Sequence, residues 1–331
     1  MPCVPFIINL ISIKRIFNKS KSIQQSLDRS VFRGLDTVKF VRIMTAMITP
    51  MNAECDIDWS GVEAVLEHLV ATGTEGVVVS GTTGESPTLT HEEKVQLYTF
   101  VAEKARGRVK VIAGAGSNNT RASMELTKEA TACGVDGIML VAPYYNKPTQ
   151  EGLYQHFRTI AKSTTLPVMV YNVPGRTSVN MSADTMVRLA SDVENITAIK
   201  EASGNLVQVM DVITNKPIDV EVHSGVDELN LPYLSVGGNG AVSVASHLVG
   251  QEMKEMFEAF DRGEIAQAAQ IQRKHLPLIR ALFMTSSPAP LKYALSRIGV
   301  CDEHVRMPVI PLSEEEKEVM NHLLEDLQIL R

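Results

Sequence analysis

From residue 43 onward the sequence repeats one pattern eight times: a short β-rich run, a few small or polar residues, then a helical stretch. The runs occupy residues 43–49, 76–80, 109–113, 137–142, 167–172, 196–200, 220–224 and 241–244. Helical stretches lie between them, for example at 58–72, 91–106, 120–133 and 150–162. Thr90 before His91-Glu92-Glu93 reads as an N-cap with acids in the first turn, and Gly73, Gly107 and Gly134 read as helix stops. Alternation of strand and helix predicts a parallel sheet, because a helical crossover lets successive strands run the same way. Eight such units predict an α/β fold of the closed (β/α)8 TIM barrel kind. An open doubly wound sheet is the alternative, but it carries a Gly-rich turn after its first strand, and Thr49-Pro50-Met51-Asn52 is not one. Beyond residue 249 the strands stop, and 251–263, 265–282, 288–298 and 313–330 read as helices. The first closes the eighth unit; the others form a C-terminal helical extension. The expected division is a basic leader at 1–40, a barrel at 41–262 and an extension at 263–331 packed on the barrel.

The bulk composition agrees with such a core. Of 331 residues, 44% are apolar and 21% charged, which suits a globular chain. A net charge of −6, with no basic patch interleaved with aromatics, argues against a nucleic-acid partner. Cys3, Cys55, Cys133 and Cys301 are scattered, with neither metal-ligand nor disulfide spacing, which points to a reducing cytoplasm. The start of the chain differs: within residues 1–42, eight basic side chains stand against only Asp28 and Asp36. The apolar stretch 4–13 is too short to span a membrane and has no basic segment before it, and no other stretch reaches that length. A transit peptide matches by composition alone. The preferred expectation is a disordered tail, or an over-long reading frame whose true start lies near Val38.

In a barrel of this kind the active side chains come from the C-terminal ends of strands and the loops after them. The unusual polar residues fall there. Thr82 and Thr83, in Gly81-Thr82-Thr83-Gly84-Glu85, follow the second run; Tyr144 and Tyr145 follow the fourth; Tyr171 and Arg176 go with the fifth; Lys200 closes the sixth; Gly225 follows the seventh. Singly, each has an ordinary explanation, as a tight turn, a packed aromatic cap or a surface charge. Their joint placement on one rim does not. A lysine closing a buried strand points its amine into the barrel mouth, where desolvation lowers its pKa and leaves a free base able to attack a carbonyl. The protonated imine formed with a ketone draws a proton off the adjacent carbon, giving an enamine nucleophile. Tyrosine and threonine hydroxyls suit a proton relay. The hydroxyls and backbone N–H groups of 81–84 suit the carboxylate of a 2-oxo acid, and an arginine at the entrance suits a second carboxylate. The reading is an aldolase acting on a 2-oxo acid, without a metal, since His91, His156, His223, His247 and His275 are dispersed.

Six blocks carry a more specific likeness: Thr45-Ala46-Met47-Ile48-Thr49-Pro50, Gly81-Thr82-Thr83-Gly84-Glu85-Ser86, Ala113-Gly114-Ala115-Gly116-Ser117-Asn118, Pro143-Tyr144-Tyr145-Asn146-Lys147-Pro148, Tyr171-Asn172-Val173-Pro174-Gly175-Arg176-Thr177 and Ile199-Lys200-Glu201-Ala202. With these in order, the chain from residue 43 to about 312 resembles the dihydrodipicolinate synthase (4-hydroxy-tetrahydrodipicolinate synthase) family. The resemblance implies pyruvate and L-aspartate 4-semialdehyde as substrates, no cofactor, a place in lysine and diaminopimelate biosynthesis, and a homotetramer of two tight dimers. It implies that Lys200 forms the imine with pyruvate. It gives Tyr171, Thr83 and Tyr145 the proton relay, Tyr145 acting at the neighbouring subunit's site. Thr82 and Thr83 fall on the pyruvate-carboxylate loop, Arg176 orients the semialdehyde, and Gly225 and Val242 line the site. N-acetylneuraminate lyase and related 2-oxo-acid aldolases share the lysine and the loop and stand as the alternative; Thr82 together with Arg176 favours the synthase. Two departures stand out. Val226 replaces an acid common after the seventh run, with Asp227 following. Lys94 and Ala122 fall where lysine-inhibited relatives carry a histidine and a glutamate, which implies weak or absent feedback by lysine.

Overall fold

The structure is a computed structural model that describes residues 40–330; apart from Phe40, the leader expected at 1–40 lies outside the described residues. Its strands are β1 (Ile43–Ala46), β2 (Gly76–Val79), β3 (Lys110–Gly114), β4 (Gly137–Val141), β5 (Val168–Asn172), β6 (Ile196–Glu201), β7 (Glu221–Ser224) and β8 (Gly240–Ser243). They are parallel and close in chain order, with Met44 of β1 opposite Val242 of β8. The helices are α1 (Trp59–Ala71), α2 (His91–Ala105), α3 (Thr120–Ala132), α4 (Gln150–Ala161), the single turn α5 (Pro174–Thr177), α6 (Ala183–Asp192), α7 (Leu206–Asn215), α8 (Asn230–Ser235), α9 (Ser246–Asp261), α10 (Ile265–Ala281), α11 (Ala289–Arg297) and α12 (Glu314–Asp326). This is a TIM barrel with additional C-terminal helices, in one compact unit. The helix expected to begin at 251 starts earlier, at Ser246, and kinks at Val249.

Side-chain alternation along each strand separates two apolar layers. On β4, Met139 points inward to pack with Met44, Val78, Ile112, Met169 and Val242, while Ile138 and Leu140 face the helices. Strands buried on both sides read as unbroken apolar runs, which is why they stand out in the sequence. Helix signals are equally local. Thr90 accepts from the Glu93 N–H while Glu93 accepts from the Thr90 N–H, a reciprocal cap on α2.

One irregularity sets the active rim. Between β5 and β6 the register slips: Val168 pairs with Ile196, but Met169 pairs with Ala198. Thr197 is the extra residue, a bulge. The slip brings Lys200 opposite Tyr171, whereas an unbroken ladder would set Tyr171 opposite Ile199, which faces the helices. Both polar side chains therefore enter the barrel from neighbouring strands.

Candidate active site

Lys200 is 5% exposed although it lies one residue from the end of β6. Its Nζ stands 4.1 Å from the centroid of the Tyr171 ring, which provides a π-face but no carboxylate. Burial lowers its pKa from 10.5 to about 7; the nearby Arg176 charge pushes the same way, and Asp227 opposes both. A lysine in this state is substantially neutral at physiological pH. That is the condition for nucleophilic attack on a carbonyl.

The loop after β7 makes room for this side chain. A Cβ on Gly225 would lie 2.9 Å from Lys200 Cε and 2.7 Å from Ala202 Cβ, so the lysine can occupy its place only while position 225 is bare. Asp227 follows, buried and fixed: its Oδ2 accepts from the N–H groups of Val244 (2.8 Å) and Ala245 (2.9 Å), and its Oδ1 accepts from Asn230 Nδ2 (3.0 Å). It supplies the negative charge that Val226 lacks. The sequence shows an acid there but not that its charge acts on Lys200.

The 81–86 loop is pinned on both sides. The Glu85 N–H donates to Thr82 O (3.1 Å), the Ser86 N–H to Gly81 O (3.2 Å) and Thr49 Oγ1 to Gly84 O (2.8 Å). Glu85 itself holds a left-handed backbone, φ 56°, and its carboxylate turns away from the pocket. Lys292 of α11 donates to its Oε1 at 2.5 Å, and the Arg306 N–H donates to its Oε2 at 2.9 Å. Both members of this pair are buried, so the C-terminal helices, read from sequence as an appendage, anchor the loop. They also wall the site through Ile279 and Phe283.

Tyr171 is buried, and burial lifts its phenol pKa to about 12; the nearby Arg176 charge and Thr82 side chain partly offset that rise. The relay expected from sequence runs through Thr83. Thr83 lines the cavity around Lys200 together with Thr82 and Tyr171. Arg176 lies exposed on the single turn α5, which Thr177 ties down through Oγ1 bonds to Val173 O (3.1 Å) and Val179 O (2.9 Å).

These residues line two adjoining cavities. One, of about 400 Å³, contains Lys200, Thr83, Gly225 and Val242; the other, of about 270 Å³, runs toward Lys94 and Ser117. Thr82, Tyr171 and Arg176 border both. Tyr145 lines neither; it is 89% exposed and holds φ 73°. Among the described residues no cluster of three His, Cys, Asp or Glu side chains is arranged to hold a metal.

Comparison with known proteins points to one family. The model of the dihydrodipicolinate synthetase family matches residues 39–327. A curated relative from Halalkalibacterium halodurans, 4-hydroxy-tetrahydrodipicolinate synthase 1, is 54% identical over 83% of this chain and 93% of its own. Among solved structures, dihydrodipicolinate synthase DapA-2 of Bacillus anthracis is 50% identical with a TM-score of 0.85, covering 87% of this chain and 98% of that one. The chloride-inhibited dihydrodipicolinate synthase of Acinetobacter baumannii, solved with pyruvate, is 39% identical with a TM-score of 0.85, covering 88% of this chain and all of the other.

Proposed function

This chain belongs to the dihydrodipicolinate synthetase family, and we propose that it condenses pyruvate with L-aspartate 4-semialdehyde to give 4-hydroxy-tetrahydrodipicolinate, a step of lysine and diaminopimelate biosynthesis. The observation that carries this reading is the buried Lys200 amine, its pKa near 7, in one cavity with Thr82, Thr83, Tyr171 and Arg176. The neutral amine adds to the pyruvate ketone, and loss of water gives the protonated imine. A proton then leaves the methyl carbon, and the resulting enamine attacks the aldehyde carbon of the second substrate. Tyr171 gives and takes the protons of these steps, with Thr83 of the same cavity in its relay. The substrate's own amine finally adds to the imine carbon, closing the ring and freeing Lys200. The hydroxyls and N–H groups of the 81–84 loop hold the pyruvate carboxylate, beside Gly225 and Val242. Arg176 receives the carboxylate of the semialdehyde at the entrance.

In this reading Tyr145 completes a neighbouring chain's relay within a homotetramer; its 89% exposure in a single chain supports that role. Among the described residues no helix is long and apolar enough to cross a membrane, in keeping with a proposed cytoplasmic location.

Borohydride reduction in the presence of pyruvate, followed by peptide mass spectrometry, tests the chemistry: the adduct belongs on Lys200, and its absence there rules out the imine route. Turnover with the semialdehyde but not with N-acetylneuraminate then identifies the second substrate. Arg176→Ala is expected to raise KM for the semialdehyde by about 10- to 100-fold, the loss of one charge-assisted carboxylate pair, while pyruvate trapping changes little. Equal impairment of both steps would mean that Arg176 has another role.

A further inference from the structure

We infer that the Glu228 carboxylate holds the ammonium group of the second substrate while Arg176 holds its carboxylate, so that the Lys200 cavity selects aldehydes with a zwitterionic amino-acid head. The inference rests on the reading of L-aspartate 4-semialdehyde as that substrate. Four charged side chains line the cavity: Arg176, Lys200, Asp227 and Glu228. Asp227 is committed to the fold, with Oδ2 accepting from the backbone N–H groups of Val244 and Ala245 and Oδ1 from Asn230 Nδ2. Val226 before it is apolar. Glu228 is therefore the acid of this wall with an oxygen left for a ligand. Its Oε1 accepts from Arg280 Nε at 3.3 Å, a long bond between two exposed side chains, and its Oε2 has no partner among the described residues.

The turn that carries Glu228 is fixed from three sides. The Leu229 N–H and Ser224 Oγ both donate to Val226 O at 2.9 Å, and Gln272 Nε2 of α10 donates to Asp227 O at 3.1 Å. Charge makes an acid useful here. Once the imine has formed, the cavity carries two cations, the iminium at Lys200 and the Arg176 guanidinium, and an incoming ammonium is repelled by both. A carboxylate in the wall replaces that repulsion with a charge-assisted hydrogen bond. It also keeps the nitrogen that later closes the ring inside the cavity. An aldehyde with a carboxylate but no ammonium engages Arg176 alone and gains nothing from Glu228.

The test compares two aldehydes on the full chain by steady-state kinetics: L-aspartate 4-semialdehyde, and succinate semialdehyde as a competitive inhibitor that lacks the ammonium. Glu228→Gln is expected to raise KM for the first about tenfold, the loss of one exposed charge-assisted bond, and to leave Ki for the second unchanged. Arg280→Gln frees Oε1, so KM should stay at or below the native value. Both side chains are exposed, so both variants should unfold at the native temperature. An unchanged KM in Glu228→Gln overturns the inference. So does an equal loss for both aldehydes, or an Arg280→Gln variant that reproduces the whole loss, since the ion pair rather than the free carboxylate would then shape the cavity. Absence of turnover in the wild-type chain would instead overturn the substrate reading, and this inference with it.

Discussion

Lys200→Met is expected to lower kcat by a factor on the order of 10⁶, the size of effect that removal of an enzyme's nucleophile produces. Methionine has nearly the length of lysine and keeps the cavity filled, so only the amine is lost. The variant should also fold at least as well as the native chain. The sign follows from the two pKa values. The Lys200 pKa is lowered from 10.5 to about 7 in the folded state, so between those limits the unfolded chain binds a proton that the folded chain does not. Folding stability therefore rises with pH across that window, and below it the full handicap applies. Near pH 8 the handicap is on the order of 3 kcal/mol, which methionine removes. Activity and thermal unfolding measured together separate the two effects. A variant that is inactive because it is unfolded would contradict the account.

The second large effect lies at the anchor of the 81–86 loop, not among the residues that line the Lys200 cavity. Lys292→Met should destabilise the fold by about 3–5 kcal/mol, because it leaves the Glu85 carboxylate buried without its cation. For a domain of this size that corresponds to a loss of very roughly 10 °C in Tm. The double variant Lys292→Met/Glu85→Gln should recover much of the loss, since neither charge then remains. Thermal unfolding of the single and double variants decides this. If the double variant is as unstable as the single one, packing around α11 rather than the charge is responsible. Because Glu85 closes the loop that carries Thr82 and Thr83, the single variant should also weaken pyruvate trapping.

Much of this protein is legible in its sequence because the informative signals are local. Most strands are apolar runs and most helices carry a stop or a cap, so the barrel follows from counting units. Lys200, Tyr171 and Arg176 are visible because strand ends mark the active rim. What escapes the sequence is what folding brings together from afar. The Lys292–Glu85 pair joins residues 207 positions apart, and neither residue has a local signal. Asp227 looks like one more loop acid until its carboxylate is seen to bind the backbone at Val244 and Ala245. The bulge at Thr197, which aligns Lys200 with Tyr171, leaves no mark in an apolar run.

The central claim is that burial makes Lys200 a free base near neutral pH, and the pH dependence of imine formation tests it most directly. Trapping of pyruvate by cyanoborohydride, followed by mass spectrometry at Lys200, should rise as pH increases through about 7 and level off above it. Below the midpoint the rate should fall about tenfold per pH unit, as the protonated fraction grows. A midpoint near 10, the value of an ordinary exposed lysine, or an adduct on any other lysine, would contradict the account.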